Sequence, residues 1–117
     1  MTTNTNNDKK GDVSTEIKFF DLDKVRFIMK DAIGLDVGYA YDDLVFSEDA
    51  VFIMQFDQDD SNIFYCYFNH ECHEPNRIAM LAELNVSAQL NGVTIVYKGK
   101  FELQMSDKTD SFAIKFL

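Results

Sequence analysis

The hydrophobic pattern of the chain changes period three times. Between Asp21 and Gly34, the residues Leu22, Val25, Ile28, Met29 and Ala32 recur at spacings of three and four, the stripe of a helix with one buried face. Asp21 suits its N-cap and Gly34 its C-terminal stop. Residues 35–41 read as a linker. From Leu44 the period falls to two, and strands are expected over Leu44–Phe46 and Val51–Phe56, joined around Glu48-Asp49. After a polar turn at 57–62, "NIFYCYFN" forms a third strand with Ile63, Tyr65 and Tyr67 on one face and Phe64, Cys66 and Phe68 on the other. A strand apolar on both faces is usually covered on both. In so small a chain, one of those covers can come from a second subunit.

The helical period returns after Pro75, a residue suited to the first turn because its missing N–H costs nothing there. Ile78, Leu81, Ala82, Leu84 and Ala88 are placed on its buried side, and Gly92 marks its latest end. The remainder alternates again: Val93–Tyr97, a turn at Lys98-Gly99, then Phe101, Leu103 and Met105, and after "DKTD" a last strand with Phe112, Ile114 and Phe116. The expected fold is α+β: an antiparallel sheet with two helices on one face, in the order α-β-β-β-α-β-β-β. Residues 1–17 are expected to be a disordered polar leader, and residues 18–117 a single domain.

Composition adds little to this picture, but charge adds more. The 117 residues are enough for one hydrophobic core without metal or disulfide support. No apolar run reaches the roughly 20 residues that span a bilayer, and the first residues carry no signal-like segment. Cys66 and Cys72 are poorly placed to bridge, and reduced thiols in a cytoplasmic protein are expected. From Asp31 to Asn76 there are eleven acidic residues and no Lys or Arg, out of a net charge of −9. Such a surface repels nucleic acid and acidic lipid headgroups and attracts basic partners.

The densest chemistry is "HECHE", residues 70 to 74, where His70, Glu71, Cys72, His73 and Glu74 are all competent ligands. There is no second ligand pair elsewhere, and the spacing misses the H-E-x-x-H helix pattern by one position. A polar connector ending in a helix N-terminus explains the run as well. Cys72 and His73 are adjacent, which rarely orients an imidazole toward the sulfur, and the nearby carboxylates are expected to raise the thiol's pKa. Asp21-Leu22-Asp23 resembles the opening motif of haloacid-dehalogenase-type phosphatases. That family needs a doubly wound parallel sheet, whereas this chain has consecutive strands. Asp57, Asp59 and Ser61 begin like a calcium loop, but Asn62 and Phe68 stand where Gly and Glu are needed. A polar hairpin turn is preferred. No catalytic residue, metal or cofactor is therefore assigned.

The stretch "RIAMLAELNVSAQLNGVTIVYKGKFELQM", the hairpin "LVFSEDAVFIMQF" and the strand "NIFYCYF" together resemble the type III secretion chaperones and their chaperone-like relatives, over about residues 20 to 106. That family closes with a third helix, where this chain places Phe112–Leu117 as a strand. The resemblance implies a homodimer that binds another protein through apolar patches on its sheet. The expected function is thus a non-enzymatic, chaperone-like protein-binding module. Phe52, Tyr65 and Tyr67 are its apolar contacts, and Asp57, Asp59 and Asp60 its acidic ones. The alternative is an acidic inhibitor or immunity-type protein that blocks a basic partner through the 31–76 surface.

Overall fold

The computed structural model describes residues 20–105 and 112–117; the expected leader, 1–17, lies outside them. Helix α1 (Leu22–Ile33) starts where the Asp21 side chain accepts the Lys24 N–H (3.1 Å). It stops at Gly34, whose φ of 75° is the left-handed conformation glycine adopts without penalty. A four-strand meander follows: β1 (Val37–Tyr41), β2 (Leu44–Ser47), β3 (Phe52–Phe56) and β4 (Ile63–Asn69). Helix α2 (Glu74–Leu90) then crosses to β5 (Thr94–Met105), and β6 (Phe112–Phe116) turns back along it. The six strands lie in chain order, β1-β2-β3-β4-β5-β6.

The α+β class and the pair of helices hold; the expected order does not. The observed order is α-β-β-β-β-α-β-β. Residues 37–41, expected as linker, are the edge strand β1, disguised by a glycine at a bulge between Val37 and Tyr39. Lys98-Gly99, expected as a turn, lies inside one twelve-residue strand. Nor is the sheet wholly antiparallel. β4 and β5 pair in parallel because a helix, and not a hairpin, connects them.

Both helices cover the same face of the sheet. Val25, Ile28 and Met29 of α1 and Leu84 and Ala88 of α2 join Val45, Phe52, Met54, Phe56, Phe64, Cys66, Phe68 and Ile95 in one buried cluster. Cross-strand pairs assemble it: Phe52 faces Phe68, Met54 faces Cys66, and Phe56 faces Phe64. Each fully buried side chain of this size contributes about 1.5–3 kcal/mol. The helices are tied to each other where the buried Ser87 hydroxyl donates to Asp31 (2.8 Å). The buried stripe of α2 runs through Met80, Leu81, Leu84, Ser87 and Ala88, a phase that leaves Ile78 and Ala82 exposed, contrary to expectation.

Strand β1 is anchored by a small polar network. Glu48 N–H donates to the Asp36 carbonyl (2.9 Å), and Asp36 N–H donates to the Glu48 carboxylate (2.8 Å). The Arg26 guanidinium donates to the Asp36 carboxylate (2.9 Å), which holds that carboxyl below the usual range; the Val37 N–H adds to the effect.

Gly99 governs the second half of β5. Cys66 pairs with Tyr97 and Tyr67 pairs with Gly99, so Lys98 is an extra residue in the ladder. Because side chains alternate with period two, one extra residue exchanges the faces. Ile95 and Tyr97 pack beneath the helices, whereas Phe101 and Leu103, at the same sequence parity, pack on the opposite face. Gly99 has φ of 145°, where a side chain is strained. Gly99→Ala is expected to destabilise the fold by about 1–3 kcal/mol, read as a lower denaturant midpoint at unchanged slope.

Candidate binding groove

The face of the sheet away from the helices has its own apolar surface. Phe46, Ile53 and Phe101 are buried there, with Leu44, Ala50, Tyr67, Leu103 and Ile114 packed around them. No helix among the described residues covers this face. In a flat sheet the end strands β1 and β6 would stand five steps apart, roughly 24 Å. Yet Tyr39 and Tyr41 of β1 and Phe112 and Ile114 of β6 line one concavity, together with Phe46, Leu103, Ser47, Asp49 and Ala50. The sheet is therefore curled into a half-barrel whose two end strands border one groove of about 790 Å³.

The groove is built on both sides by strand alternation. Tyr39 pairs with Phe46, and their rings meet edge to face at 5.8 Å. On the far side Leu103 pairs with Ile114. Deeper along the same face, the Tyr67 ring lies 4.5 Å from that of Phe116. Of the residues lining the groove, Tyr39 (60% exposed), Tyr41 (65%) and Phe112 (62%) are open to solvent. Rings left this bare around a concave apolar floor are not core packing. At the end of the groove, Asp49 and Ala50 both have positive φ (61° and 49°). Ser47 holds the turn by accepting the Val51 and Phe52 N–H groups (3.0 and 3.1 Å), and the Asn69 amide donates to the Ala50 carbonyl (3.1 Å).

The six side chains expected to contact a partner separate into different places. Phe52 is 0% exposed in the helix-covered core, so it leaves the candidate surface. A helix-covered strand position and an open one look alike in a run apolar on both faces. Tyr65 and Tyr67 are half-buried on the open face, beyond the groove's lining. The Tyr65 hydroxyl donates to the Asp57 carboxylate, and the Tyr67 hydroxyl donates to Gln55 (3.2 Å). Asp57 also accepts the Asp59 and Asp60 N–H groups (2.9 and 2.8 Å), so it organises the β3–β4 turn. Gln55 and Gln58 both donate to Asp43 (3.0 and 3.2 Å), which draws the acidic β1–β2 turn against the β3–β4 turn. Asp42, Asp43, Asp57, Asp59 and Asp60 thus gather at one end of the sheet. The groove residues Tyr39, Tyr41, Phe46, Leu103, Phe112 and Ile114 were not singled out from sequence. The available signal was alternation in the first and last strands with no third helix to cover them.

The "HECHE" connector is a structural joint. Cys72 N–H donates to the Asn69 carbonyl and Glu71 N–H to the Asn69 side chain (both 2.9 Å), while His70 and His73 are exposed. Among the described residues, no group of three or more His, Cys, Asp or Glu is placed to hold a metal ion. Burial pushes the Cys72 thiol up, against the opposing pull of Arg77. The direction is the expected one, but burial is its cause, not the neighbouring carboxylates. Cys66, inside the core, is pushed higher still by burial. Both thiols are free. No described helix is long and apolar enough to cross a membrane. No family model, curated protein or solved structure matches the chain.

The hydrogen bond to Asp57 raises the Tyr65 phenol, with burial adding to it, and burial raises Tyr67. A raised phenol favours the fold below its unfolded value of about 10, and that contribution is lost as the pH rises through the raised value. An alkaline absorbance titration is expected to show two tyrosines ionising late. Asp57→Asn should return one of them toward the ordinary range.

Proposed function

We propose that this chain is a protein-binding module, without chemistry of its own, whose half-barrel groove takes up an apolar segment of a partner polypeptide in a chaperone-like way. The observation that carries this is the pair of end strands sharing one aromatic-rimmed groove that no described helix covers. Exposed Tyr and Phe around a buried apolar floor are the composition of binding hot spots. The contact set is accordingly Tyr39, Tyr41, Phe46, Leu103, Phe112 and Ile114, with Tyr67 at its margin. We further propose that the free protein is a cytoplasmic homodimer. Phe27 on α1 and Ile78, Val86 and Leu90 on α2, all more than half exposed, supply apolar side chains for self-association.

A second reading has its own support. The acidic turns joined through Asp43, within a stretch that has no Lys or Arg, suit an inhibitor that blocks a basic partner. Charge-driven blocking would weaken steeply with salt, whereas groove binding would not.

The groove is tested by the double variant Tyr41→Ser with Phe112→Ser. Both side chains are exposed, so thermal stability should change little, while affinity for a bound polypeptide should fall at least about 30-fold. Unchanged affinity would remove the groove as the site. Light scattering should return twice the 13.5 kDa chain mass, and a monomeric mass would remove the dimer.

A further inference from the structure

The two edges of the half-barrel have a fixed relation to each other. β1 to β4 alternate in direction, β5 runs with β4, and β6 runs against β5. Counted through the sheet, β6 therefore runs in the same sense as β1. Each is an end strand of the sheet order, so among the described residues each has one row of backbone N–H and C=O groups without a strand partner. One extended segment running opposite to both would be antiparallel to both, the more stable pairing. β1 and β6 have five residues each, so the matching insert is about five residues, or ~17 Å.

We infer that the groove's occupant is an extended polypeptide strand, inserted between β1 and β6 and antiparallel to both, which closes the half-barrel. This rests on the polypeptide-binding reading of the groove.

The walls define the chemistry of that strand. Its alternate side chains would enter among Tyr39, Tyr41, Phe46, Leu103, Phe112 and Ile114, and must be apolar. The others would point outward beside Ala40 and Lys115, exposed positions of β1 and β6 that do not line the groove, where a polar residue such as threonine is suited. Both ends of β1 are acidic, with Asp42 and Asp43 at one and Glu48 and Asp49 at the other, and Asp49 itself lines the groove. No Lys or Arg lies between residues 31 and 76, and among the described residues none of these four carboxylates is in a salt bridge. The complementary segment thus carries basic residues at its two ends. Tyr39 and Tyr41 add ring faces to which such cations are attracted.

The probe is a fluorescent peptide in which valines alternate with threonines, flanked by a lysine at each end. It is compared with the same peptide carrying N-methylated backbone amides, and with an amphipathic helical peptide that has the same terminal lysines. The unmethylated strand peptide is expected to bind. Backbone methylation should weaken it at least tenfold, and hydrogen exchange should slow at amides of both β1 and β6 when it is bound. Asp49→Asn should weaken it by several-fold at low salt. Equal binding of the methylated or helical peptide, or protection of one edge alone, overturns strand insertion while leaving the groove a polypeptide site. If no peptide binds and an apolar dye does, the groove is a small-molecule site and the polypeptide reading falls with the inference. If both edges are already protected in the free protein in a concentration-dependent way, a second copy fills the groove, and the inference is overturned.

Discussion

One mismatch organises this molecule: its sheet is apolar on two faces, and the two helices cover only one of them. Phe52, Met54, Phe64 and Cys66 need the helices; Phe46, Ile53 and Phe101 need something else. The sheet meets that need by curling on itself, so that its own end strands stand over the second face. The extra residue at Lys98 is what makes this possible, because it carries the apolar positions of β5 from the covered face to the open one. Without it, Phe101 and Leu103 would point to the helix side, and the concave face would lose its buried base. The curl covers the centre of that face and leaves the rims bare. The groove is therefore the unfinished part of a packing solution.

Much of the helical half was legible in the sequence. The spacing of Val25, Ile28 and Met29, the Asp21 cap and the Gly34 stop are local features, and local features are what periodicity and capping report. The position of Pro75 in the first turn of α2 is of the same kind. The strands were legible as strands where alternation was strong, as in β3 and β4. What could not be read was which face each alternation served. Phe101 follows Ile95 and Tyr97 in strict odd-number parity, and nothing local announces that Gly99 reverses its direction. The edge strand β1 was lost for a similar reason, since Gly38 sits at its bulge and dilutes the pattern.

The candidate site was less legible than the fold, and for a physical reason. Exposure is a tertiary property. Phe52 and Phe112 are chemically the same residue in similar alternating contexts, yet one is wholly interior and the other is more than half exposed. The acidic turn residues were easier to find but harder to interpret. Asp57 spends its carboxylate on the Tyr65 hydroxyl and two backbone N–H groups of its own turn, so part of the acidic signal is structural. The "HECHE" run likewise has its backbone committed to joining β4 to α2.

The strand order has a kinetic meaning of its own. Because the six strands lie in the sheet in chain order, every ladder joins neighbours along the chain, and no strand must wait for a distant one to be made. The longest separation to be bridged is the α2 crossover between β4 and β5, and that helix can form locally before the strands meet. Loop-closure entropy is then paid in small steps. A chain built this way can be assembled progressively as it emerges, with β1 to β4 and α1 in place before the curl is drawn closed by its last two strands.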